Sequence, residues 1–221
     1  STDVRLVANI TIVAGPAGVP TQSTVTGRIG AAVTFTSGTI ACPAGCKSWL
    51  WEFGDGNSST LQNPVYTYNT PCGPTSGGTQ AYLVTLKVTD NNGCKVSFTM
   101  THNVQCPNVA YNTAVAPVWA QVCGNSDALG AVEPGETWNV TISLINSGPV
   151  DATNVLATLT ADQGGGAISV MNNPVNFGTI TKTGGTKTGT YLVRVDMGHV
   201  CFFNVAYNVV NVSSTEQPFA D

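Results

Sequence analysis

Charged side chains are scarce in this 221-residue chain. It has 8 Lys and Arg and 12 Asp and Glu, which is 9% of all residues and a net charge of −4. A typical soluble domain carries about 25% charged residues. An acidic chain with so few basic residues offers no basic stripe for nucleic acid and no polybasic helix for a membrane surface, so we expect neither partner. A weakly charged surface repels its neighbours poorly and tolerates association.

Long apolar runs and helical periodicity are also missing. No apolar run approaches the roughly 20 residues that a membrane span requires, and the longest candidate, residues 201–210, is interrupted by two Asn. No amphipathic helical stretch exceeds two turns. Thr and Val, which favour strands, are abundant, and 24 Gly and 12 Pro supply turns. With 42% hydrophobic residues, the chain is predicted to fold as an all-β protein.

Short alternating segments separated by turn residues are typical of β-sandwiches. In the first half the predicted strands are residues 4–13, 31–36, 47–53, 64–68, 82–89 and 95–101. In the second half they are residues 137–145, 153–160, 167–171, 188–195 and 201–212. We therefore predict two tandem Ig-like sandwiches, residues 1–107 and 108–221, and the two halves show no obvious internal repeat.

Three motifs stand out in the first half: Trp-Leu-Trp-Glu-Phe-Gly-Asp-Gly at residues 49–56, Asn-Pro-Val-Tyr-Thr-Tyr at 63–68 and Tyr-Leu-Val-Thr-Leu-Lys-Val-Thr-Asp at 82–90. They resemble the motifs of the PKD domain, an extracellular β-sandwich used as a spacer and in protein or glycan contacts. The resemblance implies structural roles for six residues: Trp51, Phe53, Gly54, Asp55, Gly56 and Tyr68. The chain departs from the family pattern at Tyr66, where His is usual, and in a long insertion that carries Cys72.

The second half resembles the Ig-like CARDB/DUF11-type repeats of microbial surface proteins. The matching motifs are Glu-Pro-Gly-Glu at residues 133–136, Asn-Ser-Gly at 146–148 and Ala-Thr-Asn-Val at 152–155. The resemblance implies a second Ig-like sandwich that serves as a spacer or assembly unit.

Seven Cys without a Cys-x-x-Cys pair favour disulfides in an oxidising compartment over a zinc or redox site. The chain begins at Ser1 without Met or signal peptide, and we expect a mature extracellular or cell-surface chain. Alternate loops of a sandwich lie at the same end. This predicts Cys72–Cys106 and a bridge from Cys94 to Cys42 or Cys46. Cys123 and Cys201, the two cysteines that remain in the second half, are expected to pair. Either Cys42 or Cys46 would then have no disulfide partner. The rival pairing, Cys42–Cys46, leaves Cys94 free.

Four oxygen-bearing side chains lie within 12 residues: Asn125, Asp127, Glu133 and Glu136. Hard oxygen ligands suit Ca²⁺, although the spacing is not that of an EF-hand loop. The alternative is an acidic turn in which Glu133 or Glu136 caps backbone amides. Calcium is the one cofactor that the residues suggest.

Catalytic motifs are missing from the sequence. His102 and His199 stand beside no nucleophile motif, and neither Gly-x-Ser-x-Gly nor His-Glu-x-x-His occurs. We therefore expect a non-catalytic protein.

Three aromatic residues could stack on a sugar: Trp119, Trp138 and Tyr66. Packing in the core is the alternative for each. Glycosylation sequons occur at Asn9, Asn57, Asn139 and Asn211, and Asn57, in the predicted turn, should be the most accessible.

Two functional hypotheses follow. The first is a structural subunit or segment of an extracellular filament, sheath or adhesive stalk that self-associates through Ig-like domain contacts or strand exchange. Residues 4–13 are a candidate donor strand because five apolar residues alternate there: Val4, Leu6, Ala8, Ile10 and Ile12. The alternative is that this strand pairs within its own domain. The second hypothesis is an accessory module of a secreted hydrolase or adhesin that binds a polysaccharide or a protein.

Overall fold

The computed structural model describes residues 13–70, 72, 77–123, 133–162, 168–196 and 206–216. Every regular element in these residues is a β-strand, which confirms the all-β prediction. None of the described residues belongs to a helix long and apolar enough to cross a membrane. Contacts group the described residues into two units, the first drawn from Ser1–Val25, Ala32–Thr67 and Ala81–His102, and the second from Thr26–Ala31, Tyr68–Gln80 and Asn103–Asp221.

The described residues before residue 106 form eight strands. They are β1 (Thr21–Gln22), β2 (Thr26–Arg28), β3 (Ala32–Thr36), β4 (Cys46–Glu52), β5 (Ser58–Ser59), β6 (Val65–Thr67), β7 (Thr79–Asp90) and β8 (Lys95–Gln105). One sheet has the order β1-β3-β6 and the other β2-β8-β7-β4-β5. The hairpin between β7 and β8 turns at residues 90–93, where the Asp90 carboxylate accepts hydrogen bonds from the amides of Asn92 and Cys94.

The core of the first unit is aromatic. Alternation along β4 directs Trp51 inward, and Phe53 follows on the same side; these side chains are 0% and 1% exposed. Phe35 on β3 packs against both, with ring centroids 5.5 Å from Trp51 and 5.4 Å from Phe53. The Trp51 indole N–H donates to the carbonyl of Gln62, so its polar group is satisfied in the core.

The part of the second half that the structure describes forms eight more strands. They are β9 (Val109–Tyr111), β10 (Val118–Cys123), β11 (Thr137–Asn146), β12 (Ala152–Asp162), β13 (Ile168–Val170), β14 (Val175–Ile180), β15 (Gly185–Val195) and β16 (Ala206–Ser213). One sheet runs β10-β11-β15-β13, with β9 also paired to β11, and the other runs β14-β12-β16. Their inner faces enclose a core that includes Leu144, Val155, Ile180 and Tyr191, each fully buried.

Asn146, the first residue of the Asn-Ser-Gly motif, is a buried hydrogen-bonding centre. Its side-chain oxygen accepts from the amides of Asn108 and Gly148, both at 3.0 Å. Its NH₂ group donates to the carbonyls of Val150 and Ile180. The side-chain oxygen and NH₂ group of Asn146 therefore make all the hydrogen bonds that they can. Gly148 lies close to neighbouring backbone, since a Cβ there would lie 2.4 Å from the Asn108 nitrogen. The Asn-Ser-Gly motif therefore fixes the position of the chain segment that follows residue 106.

The strands that the sequence did not predict are short, or their polar and apolar residues alternate only weakly. They are β1, β2, β5, β9, β10 and β14. The predicted strand at residues 4–13 lies outside the described residues.

Replacement of Trp51 with Ala should destabilise the protein by about 3–5 kcal/mol, because it empties the centre of the aromatic core. Replacement of Leu83, which is 62% exposed, with Ala should change the free energy of unfolding by less than about 0.5 kcal/mol. Urea unfolding of both variants tests this. Equal midpoints for the two would contradict the placement of Trp51 in the core.

Candidate functional site

The Gly-Asp-Gly turn after β4 brings together Asp55, Asn57 and Tyr66, which we call the Tyr66 cluster. The Tyr66 hydroxyl donates to Asp55 Oδ2 at 2.5 Å, and the Asn57 side-chain amide donates to the Tyr66 oxygen at 2.8 Å. The Asn57 backbone amide donates to Asp55 Oδ1. The Tyr66 ring stacks on Phe53 with centroids 3.8 Å apart and planes at 6°. A carboxylate, an amide and an aromatic ring thus meet at a partly exposed turn.

Hydrogen bonding sets the ionisation of the cluster. Burial of the Asp55 carboxyl works against its charge, but the hydrogen bonds from Tyr66 and Asn57 outweigh burial and hold the pKa of Asp55 below its usual value. Burial, the hydrogen bond to Asp55 and the charge of Asp55 raise the pKa of Tyr66 to about 12. At neutral pH the cluster therefore holds one negative charge beside a neutral phenol.

Only glycine fits at position 54, because the backbone of another strand approaches it closely. Its φ is 86°, and a Cβ there would lie 2.7 Å from the carbonyl oxygen of Leu83 on β7. This contact fixes where the turn leaves β4 and therefore where Asp55 lies. The Tyr66 cluster depends on a glycine that the sequence motif contains.

Glu136 of the Glu-Pro-Gly-Glu motif is buried and acts as an acceptor. Its carboxylate receives hydrogen bonds from the Trp138 indole N–H at 2.9 Å, from the Glu133 backbone amide at 2.8 Å and from the Gln121 side chain. Donors therefore surround both oxygens. This geometry matches the capping alternative, in which Glu136 accepts hydrogen bonds from N–H groups of the turn.

The proposed calcium cluster is only partly visible. Asn125 and Asp127 lie outside the described residues. Among the residues that the structure describes, no three His, Cys, Asp or Glu side chains are placed to hold a metal ion. Calcium binding by Asn125, Asp127, Glu133 and Glu136 stays a prediction.

The structure pairs Cys72 with Cys106, as expected from their shared end of the sandwich, and Cys42 with Cys46. The second bridge is the rival pairing, and it leaves Cys94 as a free, half-buried thiol. Cys123 is exposed and bonds no other described cysteine. Its expected partner, Cys201, lies outside the described residues, so that bridge stays a prediction.

The expected pairing of Cys94 with Cys42 or Cys46 was wrong for a geometric reason. Cys46 lies opposite Asp90 on one side of β7, and the carbonyl of Cys94 accepts from the Asp90 amide on the other side. Two strand spacings amount to about 9.5 Å. Disulfides require Cα atoms within about 7 Å. Cys42, the other candidate, is already bonded to Cys46 at a Cα–Cα distance of 5.1 Å.

His102 is a core residue. It is 1% exposed, its Nδ1 lies 3.1 Å from the Gln22 side-chain oxygen and 3.2 Å from the Thr24 carbonyl, and its ring meets Phe35 edge-on. Burial lowers the pKa of His102, and the contact with Thr24 opposes this only in part. His199 lies outside the described residues.

The aromatic residues that could stack on a sugar, and the glycosylation sequons, differ in how exposed they are. Trp138 is 7% exposed and packs in the core, whereas Trp119 on β10 is 37% exposed. Among the sequons, Asn57 and Asn211 are exposed, Asn139 is half-buried in β11, and Asn9 lies outside the described residues.

Sequence reasoning missed β10. All six of its residues are exposed, and its sequence, Val-Trp-Ala-Gln-Val-Cys, has no charge and no regular alternation. The one available signal was Trp119, which lies outside the PKD core pattern.

Comparison with known proteins identifies the first half. Residues 16–106 match the family model described as the PKD domain. This segment is therefore a PKD domain, and the sequence motifs that suggested it are confirmed. The match ends at residue 106, and the resemblance of the second half to CARDB/DUF11-type repeats stays a prediction.

A curated relative matches across both halves. A microbial collagenase of Vibrio alginolyticus is 29% identical over 199 residues, covering 77% of this chain and 23% of that protein. The chain thus spans about a quarter of the relative's length.

Solved structures give weaker likenesses. The PKD1 domain of Vibrio anguillarum Epp has 27% identity and a TM-score of 0.34, covering 42% of this chain and 98% of that one. A structure described under carbohydrate-binding modules of the β-sandwich superfamily has 17% identity and a TM-score of 0.37, covering 94% of this chain and 98% of that one.

Replacement of Tyr66 with Phe removes the hydroxyl that bonds Asp55 and keeps the ring on Phe53. We expect a loss of about 1 kcal/mol in the free energy of unfolding at pH 7. The pKa of Asp55 is lowered by folding, so this contribution is present above about pH 4 and is lost as the pH falls through the lowered pKa.

Urea unfolding at pH 7 and at about pH 2.5 measures this dependence. Tyr111→Phe is the matched control, because the Tyr111 hydroxyl donates to the carbonyl of Val115 and not to a carboxylate. The effect of Tyr66→Phe should shrink at low pH, while that of Tyr111→Phe should not. Equal pH dependence in the two variants would refute the role of Asp55.

Replacement of Glu136 with Ala leaves three donors without their acceptor and should cost about 3 kcal/mol of unfolding free energy. Glu52, which forms an exposed ion pair with Lys87, is the control, and its replacement with Ala should cost less than about 1 kcal/mol. Thermal and urea unfolding compare the two. A similar small effect at both positions would show that Glu136 does not organise this turn.

Proposed function

We propose that this chain is a non-catalytic accessory segment of a secreted protein and that it binds a polymeric substrate, a polysaccharide or a protein. One observation carries the proposal: the chain aligns over most of its length with a small part, 23%, of a microbial collagenase. A segment that is a minor fraction of a larger enzyme, and that contains a PKD domain, suits a spacer or binding module.

The disulfides support an extracellular location. Bridges such as Cys72–Cys106 persist in oxidising compartments and are rare in the cytosol. The low charge, with only 20 charged residues, suits a surface that contacts other polymers. We place the protein outside the cell or at its surface on these grounds.

The Tyr66 cluster is the proposed contact surface. Its three residues combine a carboxylate, an exposed amide and a partly exposed ring within one turn, a combination of few convergent polar groups and an aromatic that suits ligand recognition. Leu83, 62% exposed, is the residue whose backbone Gly54 approaches, and it adds an apolar side chain nearby. Asn57 lies at the exposed side of this surface.

Sedimentation with insoluble collagen, chitin and cellulose tests the proposal. The wild-type chain should co-sediment with at least one polymer in a saturable way. Asn57→Arg should weaken that binding about tenfold, because a long charged side chain then covers the cluster. Asn92→Arg is the matched control, since Asn92 is also an exposed turn residue, in the β7–β8 hairpin.

The outcomes distinguish polymer binding as a function from the Tyr66 cluster as its site. Absence of saturable binding to every polymer would refute the binding function. Binding that Asn57→Arg and Asn92→Arg leave equally strong would place the surface elsewhere on the chain.

A second candidate is a subunit or segment of an extracellular filament, sheath or stalk. The observation that favours it is the uncharged strand β10, which exposes the apolar side chains of Val118 and Val122, because exposed apolar surface suits contacts between proteins. Electron microscopy and light scattering test this function directly. Regular filaments would support it, and particles of about 23 kDa at every concentration would refute it.

A further inference from the structure

A pocket lies where the chain leaves β2, and we call it the Arg28 pocket. It has a volume of about 540 Å³ and is lined by residues 28–31, Asn69, Thr215 and Glu216. All of these residues belong to the second unit. Sites for small ligands commonly have volumes of about 300–1,000 Å³, so this pocket is large enough for a ligand of that kind. Its lining shares no residue with the Tyr66 cluster.

Backbone hydrogen bonds fix one wall of the Arg28 pocket. β2 pairs in parallel with β8, and Arg28 lies opposite Gln105. After the strand, the amide of Ile29 donates to the carbonyl of Gln105, and the amide of Gly30 donates to the carbonyl of Tyr68. Apart from its chain neighbours, a Cβ placed on Gly30 would meet no described heavy atom within 4 Å. The fold therefore holds this wall in place, and the space beside Gly30 is open.

Glu216 is a nearly buried carboxylate whose donors come from its own chain. Its side chain is 9% exposed, and its oxygens accept from the Thr153 amide at 2.8 Å and the Thr153 hydroxyl at 2.6 Å. Burial works against the charge, but the hydrogen bonds from Thr153 outweigh it and hold the pKa of Glu216 below its usual value. Glu216 is therefore charged at neutral pH, and its role in the pocket is to hold Arg28.

Arg28 keeps donors for a ligand. One Nη atom donates to Glu216 Oε1 at 2.9 Å, and the Arg28 side chain is 49% exposed. A guanidinium has five N–H donors, and the described residues give the Arg28 side chain no other hydrogen-bond partner. The ion pair therefore orients the guanidinium and leaves its remaining N–H groups available.

Asn69 supplies a second polar group to the pocket. It is exposed, and its side chain makes no hydrogen bond with a described residue. A side-chain amide both donates and accepts hydrogen bonds. Arg28 and Asn69 together offer donors and an acceptor to whatever enters the pocket.

The charges of the lining favour an uncharged ligand. Arg28 and Glu216 are the charged residues of the pocket lining, and their charges cancel. An anion bound by Arg28 would lie close to the Glu216 carboxylate, and two negative charges at short range repel each other. Hydroxyl and carbonyl oxygens accept from a guanidinium without this repulsion.

The geometry of a guanidinium favours a sugar over a peptide. One edge of the group presents two parallel N–H donors. Neighbouring hydroxyl groups of a sugar ring place two oxygens side by side, which suits such an edge. Successive residues of an extended peptide point to opposite sides of the chain, so a peptide offers that edge one carbonyl oxygen at a time.

We propose that the Arg28 pocket binds an uncharged sugar unit of a polysaccharide. Arg28 and Asn69 contact neighbouring hydroxyl groups of the sugar, and Glu216 positions Arg28. This inference rests on the polymer-binding function proposed above, and it names the class of polymer and a binding site separate from the Tyr66 cluster.

Isothermal titration calorimetry of the full chain with cellohexaose and with chitohexaose tests the pocket. We expect saturable binding of at least one of these soluble sugars. Asn69→Ala should weaken binding about tenfold, because it removes a donor and an acceptor. Arg28→Lys should also weaken it about tenfold, because Lys keeps the charge beside Glu216 but lacks the planar pair of N–H donors.

Asn92→Ala and Arg194→Lys are the matched controls. Both residues are exposed and lie outside the pocket lining, so these variants should bind as the wild type does. Thermal unfolding of each variant shows whether a loss of binding reflects a loss of folded protein. If Arg28→Lys is destabilised, Asn69→Ala still tests the pocket, because the Asn69 side chain bonds no described residue.

Four results would overturn the proposal. The first is sugar binding that both Asn69→Ala and Arg28→Lys leave unchanged. The second is sugar binding that only Asn57→Arg weakens, which would place the sugar at the Tyr66 cluster. The third is tighter binding of an oligogalacturonate than of either uncharged sugar, which would make the ligand an anion. The fourth is binding of neither soluble sugar.

The sedimentation experiment described above distinguishes this failure from failure of the polymer-binding function. A chain that co-sediments with collagen but binds neither soluble sugar would lose the Arg28 pocket as a sugar site and keep polymer binding. A chain that binds no polymer and no soluble sugar would lose both.

Discussion

Burial of alternate side chains between two facing sheets is the constraint on which both units depend. In the first unit Trp51 and Phe53 from one sheet meet Phe35 from the other, and these three rings are at most 1% exposed. Charge contributes little to this arrangement. The described residues contain two ion pairs, Arg28–Glu216 and Lys87–Glu52, and the exposed pair adds about 1 kcal/mol at most. Apolar burial and strand pairing therefore carry the fold.

Polar residues of the sequence motifs serve mainly to shape turns. Asn146 saturates its side-chain hydrogen bonds with four backbone groups, and Glu136 accepts from three donors. Because these groups are satisfied inside the fold, they have little left to offer a ligand. Function is then expected at surfaces where polar or apolar groups stay accessible.

Two such surfaces suit different partners. The Tyr66 cluster offers a charged and hydrogen-bonding turn beside an aromatic ring. β10 exposes apolar side chains and carries no charge. The same sandwich suits a spacer that holds a polymer and a subunit that joins copies of itself. In both cases the sheets supply a rigid support, and the contacts are made at the surface.

Local pattern determined much of the fold. The period-2 alternation at residues 82–89 lies within β7, and the PKD motifs located the core residues Trp51 and Phe53. Three-dimensional arrangement decided the remainder. Cys42 bonds Cys46 because β7 separates Cys46 from Cys94. Tyr66 meets Asp55 across 11 residues of chain, and β10 takes its place only through pairing with β11. Alternation is a local property that each segment carries by itself, whereas register and strand order depend on distant segments, and no single stretch of sequence specifies them.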